Sequence, residues 1–181
     1  MAQGAFSAKV SAWAKETKER QLAVTQRSAM RVIEAMQEPG PSLATAAKAV
    51  AAGVGLGRNG GNSRRAFGPI ANPGGAGNLP VDTGFLRASL VVGIGTLTIP
   101  TSRPPENSTG PFAWNDVQVS LTLSGVKAGD VIEARYTAAY ARKAEYGGGT
   151  RRPRRFVAQA AQRWGQIVEQ ECVEARARAG D

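Results

Sequence analysis

Two glutamates, one thiol and a run of arginines are the residues of this sequence whose chemistry is worth weighing first. Glu133 and Glu145 are the pair to consider for general acid–base work, which needs two carboxyls facing one reacting group. Glutamates so placed more often lie on a solvated face or form a salt bridge between subunits. Cys172 is the single cysteine, so no internal disulfide forms, in agreement with synthesis in a reducing cytoplasm. On a helical face it reads as a small core residue rather than a nucleophile. The chain has no histidine, which removes Ser–His–Asp and Cys–His arrangements and the commonest zinc ligand. Its 14 carboxylates do not fall at metal-ligand spacing. There is no GxxxxGK[ST] loop, and the glycines of GVGLGRNGG, residues 53–61, lack the flanking strand and helix of a dinucleotide fingerprint. The sequence therefore predicts no catalytic residue, no cofactor, no metal and no small-molecule substrate, and it reads as a non-enzyme.

The arginines are more informative. Between Tyr140 and Phe156 lie Arg142, Lys143, Arg151, Arg152, Arg154 and Arg155 against the single Glu145, a local balance of +5. Arg58, Arg64 and Arg65 add to an overall charge of +9 and a pI of about 10.4. Such a balance favours polyanionic partners, whether the phosphates of nucleic acid or an acidic neighbouring protein. Tyr140, Tyr146 and Phe156 interleave with the cations, as stacking on single strands would want. Phe156, however, opens a helix and reads as a core anchor. No zinc-finger, helix-turn-helix or RNA-recognition signature is present, so non-specific proximity to DNA is what remains on the nucleic-acid side.

These residues must be positioned by a modest body. A chain of 181 residues, 42% hydrophobic and only 6% aromatic, predicts a single domain whose core rests on aliphatic side chains. Residues 1–38 hold one long helix, with regular structure over about 6–38. Phe6, Val10, Trp13, Leu22, Ala29, Ile33 and Met36 recur at helical steps, and Pro39-Gly40-Pro41 stops the run. Ser42 is placed to cap a short helix through residue 51. Residues 39–78 form an insertion. Its stretch 53–78, with nine glycines and two prolines, has too little apolar surface to order itself except against a partner.

Residues 79–181 form the sheet and C-terminal helix. Asp82 or Thr83 is placed to cap a helical turn, and a strand follows at 89–95. Val117, Val119, Leu121 and Leu123 alternate with polar residues, predicting a second strand that forms a hairpin with a third at 131–136. A short helix or irregular edge at 137–146 ends at Gly147-Gly148-Gly149. A last helix over 154–177 carries the stripe Val157, Ala161, Trp164, Val168, Cys172, with Phe156 and Trp164 pinning it to the sheet. The expected fold class is α+β, a small antiparallel sheet packed by a long N-terminal and a C-terminal helix with long Gly/Pro-rich loops. No apolar run approaches the ~20 residues of a membrane span.

Three segments, LPVDTGFLRASL (79–90), YTAAYARKAEYGGGT (136–150) and RRPRRFVAQA (151–160), carry a resemblance. Taken in this order and spacing, they are similar to the tail-component family of lambdoid siphophages of the HK type, small proteins of tail completion at the head–tail junction. Asp82, Thr83, Gly84, Leu86, Arg87 and Ser89 fill that family's first pattern. Tyr140, Glu145, Tyr146 and Gly147 fill the second, with one residue added between tyrosine and glutamate. Pro153, Arg155 and Phe156 fill the third, without the proline expected directly before the phenylalanine. The insertion at 53–78 and the proline-rich loop at 100–111 are not part of the pattern. The resemblance implies a structural protein of the virion, made in the host bacterial cytoplasm. It would form a ring, a hexamer by the family's example, that joins tail-tube proteins to the connector or stopper, with possible contact to packaged DNA. A head-side adaptor or stopper is the neighbouring reading, and a non-specific DNA-binding module the reading from another class.

Overall fold

The computed structural model describes residues 2–39, 79, 83–106, 110–148 and 153–180. The short helix expected at 42–51, the stretch 53–78 with Arg58, Arg64 and Arg65, and Asp82, Arg151 and Arg152 lie outside these residues.

Helix α1 runs without a break over Ala2–Met36. Ala, Lys, Glu, Gln and Arg supply its propensity, but only its C-terminal half packs on the body. Ala29, Ile33 and Met36 are buried, with Leu22, Met30, Val32 and Ala35 beside them. The expected stripe thus divides, because Phe6 (72% exposed), Val10 and Trp13 (67%) touch no core. Residues 38–39 and Leu79 meet directly: the Leu79 N–H donates to the Glu38 carbonyl at 2.9 Å, and Pro39 and Leu79 form a parallel bridge.

Beyond the return come a helical turn α2 (Phe85–Ala88), strand β1 (Leu90–Ile94), helix α3 (Asp116–Ser124), strand β2 (Ile132–Tyr136), helix α4 (Ala141–Tyr146), helix α5 (Phe156–Gln162) and helix α6 (Trp164–Ala179). The α+β expectation holds, with a long N-terminal helix, an antiparallel sheet and a C-terminal helical segment. The sheet has two strands, paired from Leu90 opposite Tyr136 to Ile94 opposite Ile132. Leu90, Val92, Ile132, Ala134 and Tyr136 alternate toward the main core, where Ala29, Ile33, Val119, Leu123, Val126 and Ala160 meet.

The hairpin of 117–124 with 131–136 does not form; residues 116–124 are helix α3, and β2 pairs with β1 instead. The Asn115 side chain accepts from the Gln118 N–H at 3.0 Å and caps α3 at its start. On that helix Val119 and Leu123, one turn apart, point into the core, while Val117 (64% exposed) and Leu121 (63%) point away. Apolar residues at every second position can therefore mark two opposite sides of a helix as well as one side of a strand.

The last helix also departs from expectation. It is interrupted at Arg163, and its buried row is Phe156, Ala160, Ile167 and Glu171, not Val157, Ala161, Trp164, Val168 and Cys172. Trp164 is 44% exposed and pins nothing, whereas Cys172 is half-buried. The rotation follows from an ionic clamp. Glu171, 2% exposed, pairs with Arg31 of α1, whose guanidinium also bonds both carboxylate oxygens of Glu174 at 2.9 Å. Arg178 lies 3.6 Å from Glu171 on the other side. A charged residue thus occupies a buried position that a pattern of apolar residues assigns to the surface.

Candidate functional site

The three segments that carry the family resemblance come together in space. Leu79 and Leu86 from the first, Ala138 and Ala141 from the second and Phe156 from the third form a second buried cluster beside the main core. Each arrives by local backbone chemistry.

In the first segment, Gly84 adopts φ +84° and begins α2 with no side-chain cap. Of the two expected caps, Asp82 lies outside the described residues, and Thr83 stands one residue before the cap position. Thr83 Oγ1 lies 3.4 Å from the Phe85 N–H, a long contact, and a glycine fills the cap position because the backbone there is left-handed. A Cβ at Gly84 would also collide with the carbonyl oxygen of Phe112. That close approach is held by the Phe112 N–H donating to the Thr83 carbonyl at 2.9 Å and by edge-on packing of Phe85 on Phe112, with centroids 5.3 Å apart. Ser89 ends the turn, its hydroxyl donating to the Leu86 carbonyl at 2.7 Å, and its own carbonyl accepts from both the N–H and the hydroxyl of Thr137. Arg87 stacks over Trp114, 5.5 Å from the ring centroid.

In the second segment, Tyr140 packs near Phe85, and Gly147, at φ +78°, closes α4 by donating its N–H to the Lys143 carbonyl. Glu145 is 5% exposed, so it does not lie on a solvated face. Its carboxylate accepts from the N–H groups of Val157 (3.1 Å) and Ala158 (3.0 Å), capping the start of α5 from another element. A negative charge at that end is favoured by the free N–H groups of the first turn. Glu133 sits apart on β2, bonded to the Leu97 N–H and to Arg135. The Leu97 N–H, aided by Arg135, holds its carboxyl below the usual carboxylate range.

In the third segment, Arg154 and Arg155 donate their N–H groups to the carbonyls of Ala144 and Glu145, laying the chain beside the end of α4. Arg155 takes the left-handed conformation, φ +53°, immediately before α5. Phe156, 1% exposed, then enters the cluster and meets Tyr136 edge-on at 5.3 Å. Burial of that one ring contributes roughly 1.5–3 kcal/mol. The Tyr136 hydroxyl donates to the Met36 carbonyl at 3.0 Å. Burial, and then the charge of Glu145, push its ionisation well above the usual phenol range.

The matching residues are thus mostly structural. Of the expected polyanion contacts, Arg142, Lys143 and Arg155 are exposed and Arg154 is half-buried. Tyr146, 70% exposed, and Arg155 border a cleft of about 220 Å³. A larger open groove of about 480 Å³ lies between the end of α1, Arg87, Trp114, Arg163 and Ile167. The sequence pattern did not single it out, since its walls come from four separated stretches. Among the described residues, no group of three or more His, Cys, Asp or Glu is placed to hold a metal ion, and no helix is long and apolar enough to cross a membrane. Comparison with protein-family models, curated proteins and solved structures returns no match.

Proposed function

We propose that this chain is a structural protein of a tailed bacteriophage, a ring subunit of the tail-completion or neck layer that joins the tail tube to the head connector. The observation that carries the reading is the convergence of the three family-like segments. Residues 79–90, 136–150 and 151–160 contribute the buried Leu86, Ala138, Ala141 and Phe156, and a carboxylate from the second caps a helix of the third. Of the residues that fill the family's pattern, Leu86 and Phe156 lie in this shared cluster and Glu145 joins the second segment to the third.

A ring role also suits the surface. The charge of +9 favours an acidic neighbour or the DNA channel, and exposed apolar side chains on α1 and α3 are left for other subunits to cover. On this reading the work is assembly rather than catalysis.

The test is a phage lacking the gene. Infected cells should accumulate filled heads and unattached tails, and the protein should be found by mass spectrometry and labelling at the head–tail joint of normal virions. Intact joined particles from the deletion would overturn the reading. The exposed Arg142, Lys143 and Arg155 favour a second reading, non-specific DNA binding. That reading requires affinity that falls steeply with salt, as released counterions dictate.

A further inference from the structure

The groove of about 480 Å³ beside the C-terminal end of α1 is walled by polar groups that the protein itself does not use. Three of its lining residues, Gln37, Arg87 and Trp114, each hold back one atom: Gln37 Oε1, Arg87 Nε and Trp114 Nε1 are closed off from water and have no hydrogen-bond partner within the protein. Gln37 is 1% exposed, and its amide nitrogen donates to the Arg87 carbonyl at 3.2 Å, which leaves its oxygen over. The Arg87 guanidinium lies over the Trp114 ring, 5.5 Å from the centroid, and pairs with no carboxylate among the described residues. The other two cations of the groove are taken. Arg31 is held by Glu171 and Glu174, and Arg163 stands 3.9 Å from Glu38. Unpaired buried polar groups are few in a folded protein and each is costly, so three on the walls of one groove call for a ligand.

We infer that this groove binds an acidic segment of another protein, through one aspartate or glutamate. The carboxylate would accept from Arg87 and Trp114, and the adjoining main-chain N–H would donate to Gln37. The inference goes beyond the ring proposed above and does not rest on it. Two donors and one acceptor are what such a residue matches, since a carboxylate only accepts and a peptide unit also donates. A DNA backbone brings acceptors alone, and the exposed Glu34 and Glu38 on the rim repel a run of phosphates. Ala35 and Ile167 give the segment apolar wall to lie on. The volume falls within the roughly 300–1,000 Å³ usual for ligand sites.

The unpaired atoms sit just beneath the wall. Seating the carboxylate therefore asks the guanidinium to turn its edge toward the open side, a side-chain adjustment of the kind common when partners bind. A charge-assisted hydrogen bond to a planar guanidinium already stacked on a ring then supplies most of the selectivity.

The experiment uses the full chain labelled with nitrogen-15. The side-chain N–H signals of the tryptophans and of Arg87 are assigned by Trp13→Phe, Trp114→Phe, Trp164→Phe and Arg87→Gln. The probes are the capped tripeptides acetyl-Leu-Asp-Leu-amide and acetyl-Leu-Asn-Leu-amide, inorganic phosphate, and a short oligothymidylate. The aspartyl peptide should move the Trp114 and Arg87 signals and leave those of Trp13 and Trp164 in place, with a Kd on the order of 1 mM for so small a contact. The asparaginyl peptide should bind at least about tenfold more weakly, for want of the charge. Arg87→Gln, followed at Trp114, should cost about tenfold as well, and Trp114→Phe, followed at Arg87, a few fold. The Arg87 carbonyl that holds Gln37 is main chain, so near-ultraviolet circular dichroism should show both variants folded; should Arg87→Gln unfold, Trp114→Phe carries the test. Signals unmoved by about 20 mM aspartyl peptide, or moved equally by the asparaginyl one, would overturn the inference. So would phosphate or oligothymidylate acting more strongly than the aspartyl peptide, which would give the groove to a phosphate ligand instead.

Discussion

A carboxylate closed off from water must find donors or give up its charge, and Glu145 finds two main-chain N–H groups at the start of α5. One side chain thereby ties α4 to α5 and supplies the cap that Arg155, held at positive φ, does not. Glu145→Gln keeps the shape but turns one acceptor oxygen into a donor facing an N–H. The expected cost is about 1–3 kcal/mol, read as a lower urea midpoint with an unchanged slope. A second readout separates charge from packing. The negative charge of Glu145 helps to raise the ionisation of Tyr136, after burial, which is the larger cause. In the Gln variant the Tyr136 phenol should therefore titrate at lower pH than in the parent, followed by its ultraviolet absorbance. The sign is consistent with linkage: the neutral phenol favours the folded state at neutral pH, and that contribution is lost as pH rises through the folded ionisation. An unmoved phenol would mean that the carboxylate acts by geometry alone.

Among the elements, α3 depends most visibly on one polar residue. Its apolar side chains are split between two sides and its first turn is held by the Asn115 carbonyl oxygen. Asn115→Ala should cost about 1 kcal/mol, measured by thermal or urea unfolding, and hydrogen exchange should quicken at the N–H of Gln118 before it does in β1 or β2. Reading this chain for its elements succeeded where side chain and backbone signals agreed. Helix α1 had uninterrupted propensity and a Pro-Gly-Pro stop, β1 and β2 had aliphatic alternation, and Phe156 followed a proline into a helix. It failed at α3 because alternation does not distinguish a strand from a helix with two apolar sides, and the cap at Asn115 was the signal that would have decided. It also failed at the face of α6, because Glu171 is buried only through arginines contributed by α1 and by α6 itself, and a one-dimensional pattern scores a glutamate as surface. The family-like segments were legible as motifs, yet the capping role of Glu145 requires knowing that α4 ends beside the start of α5.

At the scale of the whole molecule, the described residues on either side of 40–78 meet one another directly. Glu38 and Leu79 are joined by a main-chain hydrogen bond of 2.9 Å, and Pro39 and Leu79 form a bridge. Tyr136 and Gln37 secure the same corner, through the Met36 and Arg87 carbonyls respectively. Replacing residues 41–77 with about six Gly and Ser residues should therefore leave the body folded. The shorter loop costs less to close, by on the order of 1–2 kcal/mol, so the Tm is expected to hold or rise by a few degrees while near-ultraviolet circular dichroism stays the same. If the insertion serves to grip other parts of the virion, the shortened protein should still assemble but fail to retain heads on tails when it replaces the full chain in infection. A collapse of the Tm would instead show that residues 41–77 belong to the body, and a shortened chain that still joins heads to tails would move the gripping role to the basic residues of α4 and Arg155.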